Sequence, residues 1–193
     1  MNAPKVIAIA GASGSGKTSV ISSLSQQFSC PFLLFDDHTD ARTYPENMKL
    51  WLQKGADLSE IETPRLVDSL QDLKTKCTAP YIFIEEPFGR CRGSIASLID
   101  YVVLLDVPME ICLSRVIMRN LNNPSNDSLI SIPKYLSKYN DHFRDIYINA
   151  VAQTRSSSDF IVQQVDTIES SSAEISNWLI SMENNELKAQ QAI

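Results

Sequence analysis

Residues 5–20 read KVIAIAGASGSGKTSV, and this stretch contains the clearest structural signal in the chain. The apolar run Val6–Ala10 predicts a buried strand, because a parallel strand covered on both faces need not alternate polar with apolar residues. A glycine-rich turn follows the run. Apolar residues then recur at helical spacing from Val20 to Phe28, which predicts a helix that begins near Lys17. The stretch is therefore expected to form a strand, a tight turn and a helix.

The turn matches the pattern G-x-x-x-x-G-K-[ST]. Because glycine has no Cβ, successive backbone N–H groups can converge on one anion, and the helix dipole points at the same place. In this pattern Lys17 contacts the β- and γ-phosphates of a nucleotide, and the Thr18 hydroxyl holds Mg²⁺. A flexible turn that matches by chance is the alternative interpretation. The flanking strand and helix favour a nucleotide-binding site made of Gly11, Ala12, Ser13, Gly14, Ser15, Gly16, Lys17, Thr18 and Ser19.

Length and charge narrow the class of protein. The 193 residues suit one α/β domain with a full core. The 17 basic and 23 acidic residues give a net charge of -6, which disfavours a nucleic-acid surface or an anionic membrane as partner. The four cysteines form no C-x-x-C pair, which predicts buried free thiols in a reducing cytoplasm. We expect a cytoplasmic protein without a signal peptide or a membrane span.

Two acids follow a second predicted strand, Phe32–Phe35. In open α/β sheets the ligand crevice lies outside the carboxyl ends of the strands, so Asp36 and Asp37 should face the phosphate site. Asp36 could then act as general base toward a substrate hydroxyl, or it could support Mg²⁺. Asp37 is a candidate substrate contact. The alternative is a solvated Asp–Asp turn.

A polar segment, residues 38–63, is predicted to form a small helical excursion between strand and helix. Its residues Arg42, Tyr44 and Trp51 are candidates to clasp a substrate ring or anion. The alternative for Trp51 is that it only packs the excursion against the body of the domain. After this segment, Thr63 and Pro64 predict the N-cap and first turn of a helix of about 13 residues.

The third predicted strand, Tyr81–Ile84, runs into two glutamates. An acid at the end of a buried strand is where enzymes with this phosphate loop hold a Mg²⁺-bound water, so Glu85 is our candidate for that role. Strand alternation leaves open whether Glu85 or Glu86 faces the metal. Arg90 and Arg92 are candidate substrate-phosphate contacts, with a solvated loop as the alternative.

The fourth predicted strand, Tyr101–Leu105, leads into a helix with Arg115 and Arg119 one turn apart on one face. Two guanidinium groups in register suit the spread charge of a phosphoryl group in transfer, so both are candidate catalytic residues. An exposed arginine face is the alternative. Turn-forming residues dominate 120–131 and predict a mobile loop.

The remaining chain predicts a long amphipathic helix after Pro133 and a fifth strand, Asp159–Val162. A last helix carries apolar residues up to Met182. A polar tail from Glu183 is expected to fray.

Taken together, these elements resemble the uridine kinase-like branch of the P-loop nucleoside and nucleotide kinases. The segments that carry the resemblance are Gly11–Thr18, Asp36, Ile82–Glu85, Asp106 to Arg119, and Tyr139 to Arg144 followed by Ser158–Val162. The resemblance implies an α/β, three-layer P-loop NTPase fold with a five-stranded parallel sheet flanked by helices. Residues 1–182 would form this domain, with 38–63 as a substrate-side excursion, 120–131 as a lid-like loop and 183–193 as a polar C-terminal tail.

The resemblance also implies a reaction. ATP would be the phosphoryl donor, with Mg²⁺ bound through Thr18 with help from Glu85, and Asp36 would be the base on the hydroxyl of a small-molecule acceptor. Arg119 matches an arginine near the lid that contacts the phosphates.

The chain also departs from the family's pattern in two places. Leu121 to Pro124 stand where the family has further arginines, and Asp37 to Thr39 replace its aromatic pair. Uridine specificity is therefore not implied, and the acceptor and the oligomeric state stay open. An ATPase or nucleotide-binding regulator without a small-molecule acceptor is the alternative function.

Overall fold

The chain alternates strands and helices along most of its length. The structure is a computed structural model that describes residues 3–122, 128–163 and 167–191. The strands are β1 (Lys5–Ala10), β2 (Phe32–Leu33), β3 (Tyr81–Glu85), β4 (Tyr101–Leu105) and β5 (Phe160–Val162). The helices are α1 (Lys17–Phe28), α2 (Met48–Gln53), α3 (Pro64–Lys76), α4 (Gly93–Ala96), α5 (Met109–Asn122), α6 (Ser128–Lys138), α7 (Arg144–Arg155) and α8 (Ile168–Gln191).

The five strands form one parallel sheet in the order β2-β3-β1-β4-β5. β1 lies in the centre, and its apolar residues Val6–Ala10 are all fully buried, as expected for a strand covered on both faces. In the register, Ile9 stands beside Glu85 of β3 and Val103 of β4. The carboxyl ends of the three central strands therefore meet at one edge of the sheet, where the phosphate loop begins.

Helices cover both faces of the sheet. On one face, Ile7 and Ile9 pack with residues of α1 and α8. On the other face, Val6 and Ala8 pack with residues of α3 and α7. The predicted fold class, a three-layer α/β P-loop fold with a five-stranded parallel sheet, is confirmed.

The second strand is shorter than the sequence predicts. It covers Phe32–Leu33 only, and the chain then turns into a 3₁₀ helix over Asp36–His38. β2 pairs with β3 alone, at the edge of the sheet, which leaves the Phe32 side chain 41% exposed. The prediction of a buried strand over residues 32–35 is therefore wrong in length and, at Phe32, in burial.

The predicted loop over residues 120–131 is largely helical in its described part. Helix α5 extends to Asn122, and α6 begins at Ser128. The turn-forming Asn120 fits into the last turn of α5, where its side-chain amide donates to the carbonyl of Val116 at 2.9 Å. The predicted lid-like segment 123–127 lies outside the described residues.

Two further predictions about helices need correction. The single long helix after Pro133 is instead α6, one π-helical turn over Tyr139–Phe143, and α7. The predicted tail from Glu183 continues α8 to Gln191, because Glu, Leu, Lys, Ala and Gln residues in this segment are good helix formers. Glu183 also accepts a hydrogen bond from the Tyr81 hydroxyl, which ties the helix to β3.

The cysteines are free thiols, as predicted, although Cys77 and Cys91 are only half-buried. Of the helices that the structure describes, none has the length and apolar character needed to cross a membrane.

Candidate active site

The phosphate loop connects the end of β1 to the start of α1. Gly14 and Gly16 have φ angles of 87° and 101°, in the left-handed region that favours glycine. A Cβ on Gly14 would lie 2.3 Å from the carbonyl oxygen of Cys112. The loop is therefore pressed against α5, and this contact fixes the loop next to the arginine-bearing helix.

Lys17 and Thr18, the first two residues of α1, both contact Glu85 of β3. The Thr18 hydroxyl donates to Glu85 Oε2 at 3.0 Å, and Lys17 Nζ lies 3.5 Å from Glu85 Oε1. Lys17 also donates to the carbonyl of Ala12 at 3.0 Å. Burial lowers the pKa of Lys17, and the carboxylates of Glu85 and Asp36 counteract this effect by favouring the charged form. The lysine is thus held in place at the loop beside an acid.

The structure distinguishes the two glutamates that the sequence left open. Glu85 faces the phosphate loop, whereas Glu86 is fully buried and forms an ion pair with Arg92. Arg92 Nε donates to Glu86 Oε1 at 3.0 Å, and its Nη2 donates to Glu86 Oε2. Glu85 is therefore the glutamate placed to support a metal at this loop.

Arg92 was predicted to contact substrate, and the structure places it elsewhere. Its side chain is fully buried, and Nη1 donates to the carbonyl of Ile61 and to the Thr63 hydroxyl, each at 2.9 Å. The guanidinium also lies over the ring of Phe35, at 5.3 Å. Arg92 thus ties the end of the 38–63 segment to β3. Thr63, the predicted N-cap of α3, accepts the hydrogen bond from Arg92 on its hydroxyl oxygen, and its side chain makes no capping hydrogen bond to α3.

A cleft of about 750 Å³ opens over the loop. The predicted residues that line it are Gly11, Ala12, Ser13, Gly14, Gly16, Lys17, Thr18, Ser19, Asp36, Tyr44, Glu85, Arg115 and Arg119. Ser15, the remaining loop residue, is buried and accepts a hydrogen bond on its carbonyl from Arg115 Nη1 at 3.3 Å. The cleft thus brings together the phosphate loop, both candidate arginines and the candidate acids.

Asp36 enters this cleft because β2 ends two residues early. The 3₁₀ helix that follows starts at Asp36, and the carboxylate is exposed and close enough to affect the charge of Lys17. Tyr44 lines the same side, and burial, with the negative charge of Asp36 as a further cause, raises its pKa to about 12. An acid and a neutral phenol therefore stand together opposite the loop.

The donor atoms at the loop are of the type that Mg²⁺ binds. Thr18 and Glu85 are in contact and Asp36 lines the same cleft, which gives one hydroxyl and two carboxylates, all hard oxygen donors. Among the described residues, no group of three or more His, Cys, Asp or Glu side chains forms a metal site. Mg²⁺ is commonly held by one or two carboxylates together with substrate phosphates, so the residues present fit this ion.

Besides Arg92, four predicted substrate contacts do not line the cleft. Trp51 is buried in the core, and its Nε1 donates to the carbonyl of Asp57 at 3.0 Å, so it anchors the excursion. Arg90 donates to Asp159 and Ser157, at the amino end of β5 and so at the edge of the sheet opposite the loop. Arg42 extends into solvent beside Asp40, and Asp37 is exposed. The prediction for Trp51 and Arg90 as substrate contacts is wrong.

The apolar residues that line the other end of the cleft were not predicted from the sequence. These are Phe35, Met48, Ile61, Pro87, Phe88, Phe143, Ile146, Tyr147, Ala150 and Val151. The residues of this group that lie in α7 have helical spacing, which predicts core packing. Ile146 and Ala150 do belong to the core, and they line the cleft as well. The four-residue spacing of Phe143 and Tyr147 was the available signal, because it places two aromatic rings on one face.

Comparisons with known proteins agree with this description. The chain is similar to a uridine kinase of Schizosaccharomyces pombe, at 29% identity over an alignment 187 residues long. The alignment covers 82% of this chain and 40% of the relative. The chain therefore spans less than half the length of the relative that it matches. The resemblance to uridine kinases that the sequence predicted is confirmed. No family model matches the chain.

Solved structures share the fold at low sequence identity. TT1252 from Thermus thermophilus has a TM-score of 0.59 and 20% identity, and the match covers 94% of this chain and 98% of that one. A shikimate kinase from Aquifex aeolicus has a TM-score of 0.55 and 20% identity, with the same coverage. These neighbours support the α/β P-loop fold.

Proposed function

We propose that the protein is a Mg²⁺-dependent kinase that transfers the γ-phosphoryl group of ATP to the hydroxyl group of a small-molecule acceptor. The observation that carries the proposal is that Asp36 lines the same cleft as Lys17 and Thr18. A nucleotide-binding regulator needs the phosphate loop but has no use for a carboxylate base at the acceptor position. We further propose a cytoplasmic location, which the four free thiols favour.

The proposed donor end consists of the phosphate loop, Arg115 and Arg119. Backbone N–H groups of the loop and the positive end of α1 would bind the phosphates. The charges of Lys17, Arg115 and Arg119 would stabilise the negative charge that develops on the phosphoryl oxygens. Thr18, Glu85 and Asp36 would hold Mg²⁺, which neutralises phosphate charge when it is bound.

Asp36 is the proposed base on the acceptor. As the acceptor oxygen bonds to the γ-phosphorus, the bond from that phosphorus to the bridging oxygen of ADP breaks and the hydroxyl proton moves to the Asp36 carboxylate. The exposed position of Asp36 leaves its carboxylate open to a bound acceptor. The similarity to a uridine kinase makes nucleosides one class of acceptor to test, but this relative is more than twice as long as the matched region.

An acceptor screen with γ-labelled ATP tests the proposal. The purified chain is incubated with MgCl₂, labelled ATP and pools of nucleosides, sugars and other alcohols, and the label is followed into organic phosphate esters. We expect at least one pool to accept the label, and we expect this transfer to be lost in Lys17→Ala. Label that appears only in inorganic phosphate with every pool would overturn the proposal and favour an acceptor-independent ATPase.

A further inference from the structure

The cleft has two chemically different ends. The end next to α5 and α8 contains the arginines, since Arg115 and Ile168 are the side chains nearest to Gly16. The opposite end lies beyond Asp36, toward α2 and α7, and we call it the acceptor end. It is lined by Phe35, Tyr44, Met48, Ile61, Phe88, Phe143, Ile146 and Tyr147.

Aromatic rings form most of the acceptor end. Phe35 packs edge-to-face against Phe88 at 5.8 Å and lies 6.5 Å from Tyr44. Phe143 and Tyr147 form a second pair of rings in the lining, with their centroids 6.1 Å apart. Such a surface binds the apolar body of a small molecule, and the ring edges favour another ring.

No positive charge among the described lining residues faces the acceptor end. Three basic residues line the cleft, and they lie at the end next to α5 and the phosphate loop: Lys17, Arg115 and Arg119. Of the basic side chains near this end, Arg92 is paired with Glu86 and Lys49 with Asp141, and Lys138 Nζ lies over the ring of Phe143, 5.9 Å from its centroid, outside the cleft lining. The stretches of sequence that the structure leaves undescribed contain no lysine or arginine.

Negative charge and neutral phenols complete this end of the cleft. Asp36 and Glu85 line the same cleft. Burial raises the pKa of both Tyr44 and Tyr147, so each phenol stays protonated and uncharged at neutral pH. An acceptor that carried its own carboxylate or phosphate at the acceptor end, away from the reacting hydroxyl, would lose its hydration and meet no cationic side chain among the described lining residues there, which is unfavourable.

We infer that the acceptor is an uncharged alcohol with an apolar, ring-containing body, and that phosphorylated and carboxylated acceptors are excluded. This inference rests on the proposed kinase function, which supplies Asp36 and Glu85 with roles at the reacting hydroxyl and the metal. With those two acids engaged, no lining carboxylate among the described residues is left to bind a cationic acceptor. The phenolic hydroxyl of Tyr44, which lines the cleft, remains to orient an uncharged one.

A matched set of probes tests the charge preference. The set consists of phenylethanol, its para-carboxylate and its para-aminomethyl derivative, together with uridine and uridine monophosphate. Binding is measured by calorimetry to the protein saturated with MgCl₂ and a non-hydrolysable ATP analogue. We expect each uncharged member to bind at least about tenfold more tightly than its anionic partner, a difference of about 1.4 kcal/mol. We also expect phenylethanol to bind more tightly than its cationic derivative.

A charge-introducing variant sharpens the test. Met48→Arg places a guanidinium in the lining of the acceptor end, whereas Leu50→Arg places the same group on the exposed side of α2. The para-carboxylate should gain about tenfold in affinity in Met48→Arg and remain unchanged in Leu50→Arg. Tyr44→Arg serves as a second variant at another lining position, in case the half-buried Met48 does not tolerate the change.

The outcomes separate the inference from the proposed function. Tighter binding of an anionic or cationic member, or no binding of any uncharged member, would overturn the inference. An unchanged affinity for the para-carboxylate in both lining variants would overturn it as well. Tight binding of the uncharged members, with no transfer of label from ATP to any bound alcohol, would support the charge preference and overturn the kinase function.

Discussion

Two adjacent aspartates have different surroundings. Asp36 lines the cleft above the phosphate loop, whereas Asp37 is exposed outside it. Because both follow β2 and have the same side chain, they form a matched pair. Asp36→Asn keeps the shape of the side chain but removes its basicity, so phosphoryl transfer should fall by roughly 10²- to 10⁴-fold. The measurement is the initial rate of label transfer to an acceptor found in the screen.

Asp37→Asn is the control for this prediction. The variant should transfer phosphate at the wild-type rate, and both variants should still bind the nucleotide. A wild-type rate in Asp36→Asn would show that this carboxylate is not the base.

The buried pair of Glu86 and Arg92 is expected to determine stability rather than chemistry. Arg92→Met leaves the Glu86 carboxylate buried and without its cation, which should lower the free energy of unfolding by about 3–5 kcal/mol. Adding Glu86→Gln removes the orphaned charge, so the double variant should be more stable than Arg92→Met alone. Urea unfolding followed by circular dichroism measures both values. A double variant that is no more stable than the single one would contradict this view of the pair.

The sequence predicts single residues well where the chemistry is local. Lys17 and Thr18 lie in one motif, so their positions follow from spacing alone. Glu85 and Glu86 could not be separated, because both end the same strand and their orientation depends on which helix packs there. Arg92 was misassigned because, besides nearby Glu86, its side chain is enclosed by Ile61 and Thr63, which lie 31 and 29 residues away along the chain, and no local pattern reveals these contacts.

At the scale of elements, the phosphate loop depends on its contact with α5. Gly14→Ala would push a Cβ against the carbonyl of Cys112, whereas Gly55 has a similar left-handed φ and open space around it. Gly55→Ala should therefore cost only about 1–2 kcal/mol of backbone strain. Gly14→Ala should cost more and should also weaken nucleotide binding, because the loop must move away from α5. Urea unfolding and nucleotide titration of both variants provide the comparison, and equal losses of stability would contradict the role of the contact.

Strands and helices were predictable to the extent that local periodicity defines them. The apolar runs of β1, β3 and β4 identify central strands, because these are buried on both faces. β2 was overestimated, since an apolar run does not say whether a strand has one neighbour or two. The ends of α5 and α8 were placed too early because polar composition was taken as a break, although polar residues suit an exposed helix face.

At the scale of the whole molecule, the nucleotide should stabilise the fold. A ligand at 100 times its dissociation constant adds about 2.7 kcal/mol to the stability of the protein that binds it. For a domain of this size that corresponds to an increase of about 5–10 °C in Tm. We expect this increase with ATP and MgCl₂ in a thermal unfolding scan of the wild-type chain.

Lys17→Ala should abolish most of the increase, because the variant lacks the buried cation at the loop. The Asp37→Asn protein is a suitable comparison, and it should retain the full shift. An equal rise in Tm for Lys17→Ala and wild type would contradict the assignment of the phosphate loop as the nucleotide site.

The central position of β1 also has a consequence for the order of events at the ribosome. β1 is synthesised before both of its neighbours, which are Tyr81–Glu85 on one side and Tyr101–Leu105 on the other. Such distant pairings form slowly and leave unpaired strand edges exposed in the meantime. The nascent chain must therefore keep the apolar segment Val6–Ala10 from aggregating until translation has passed Leu105.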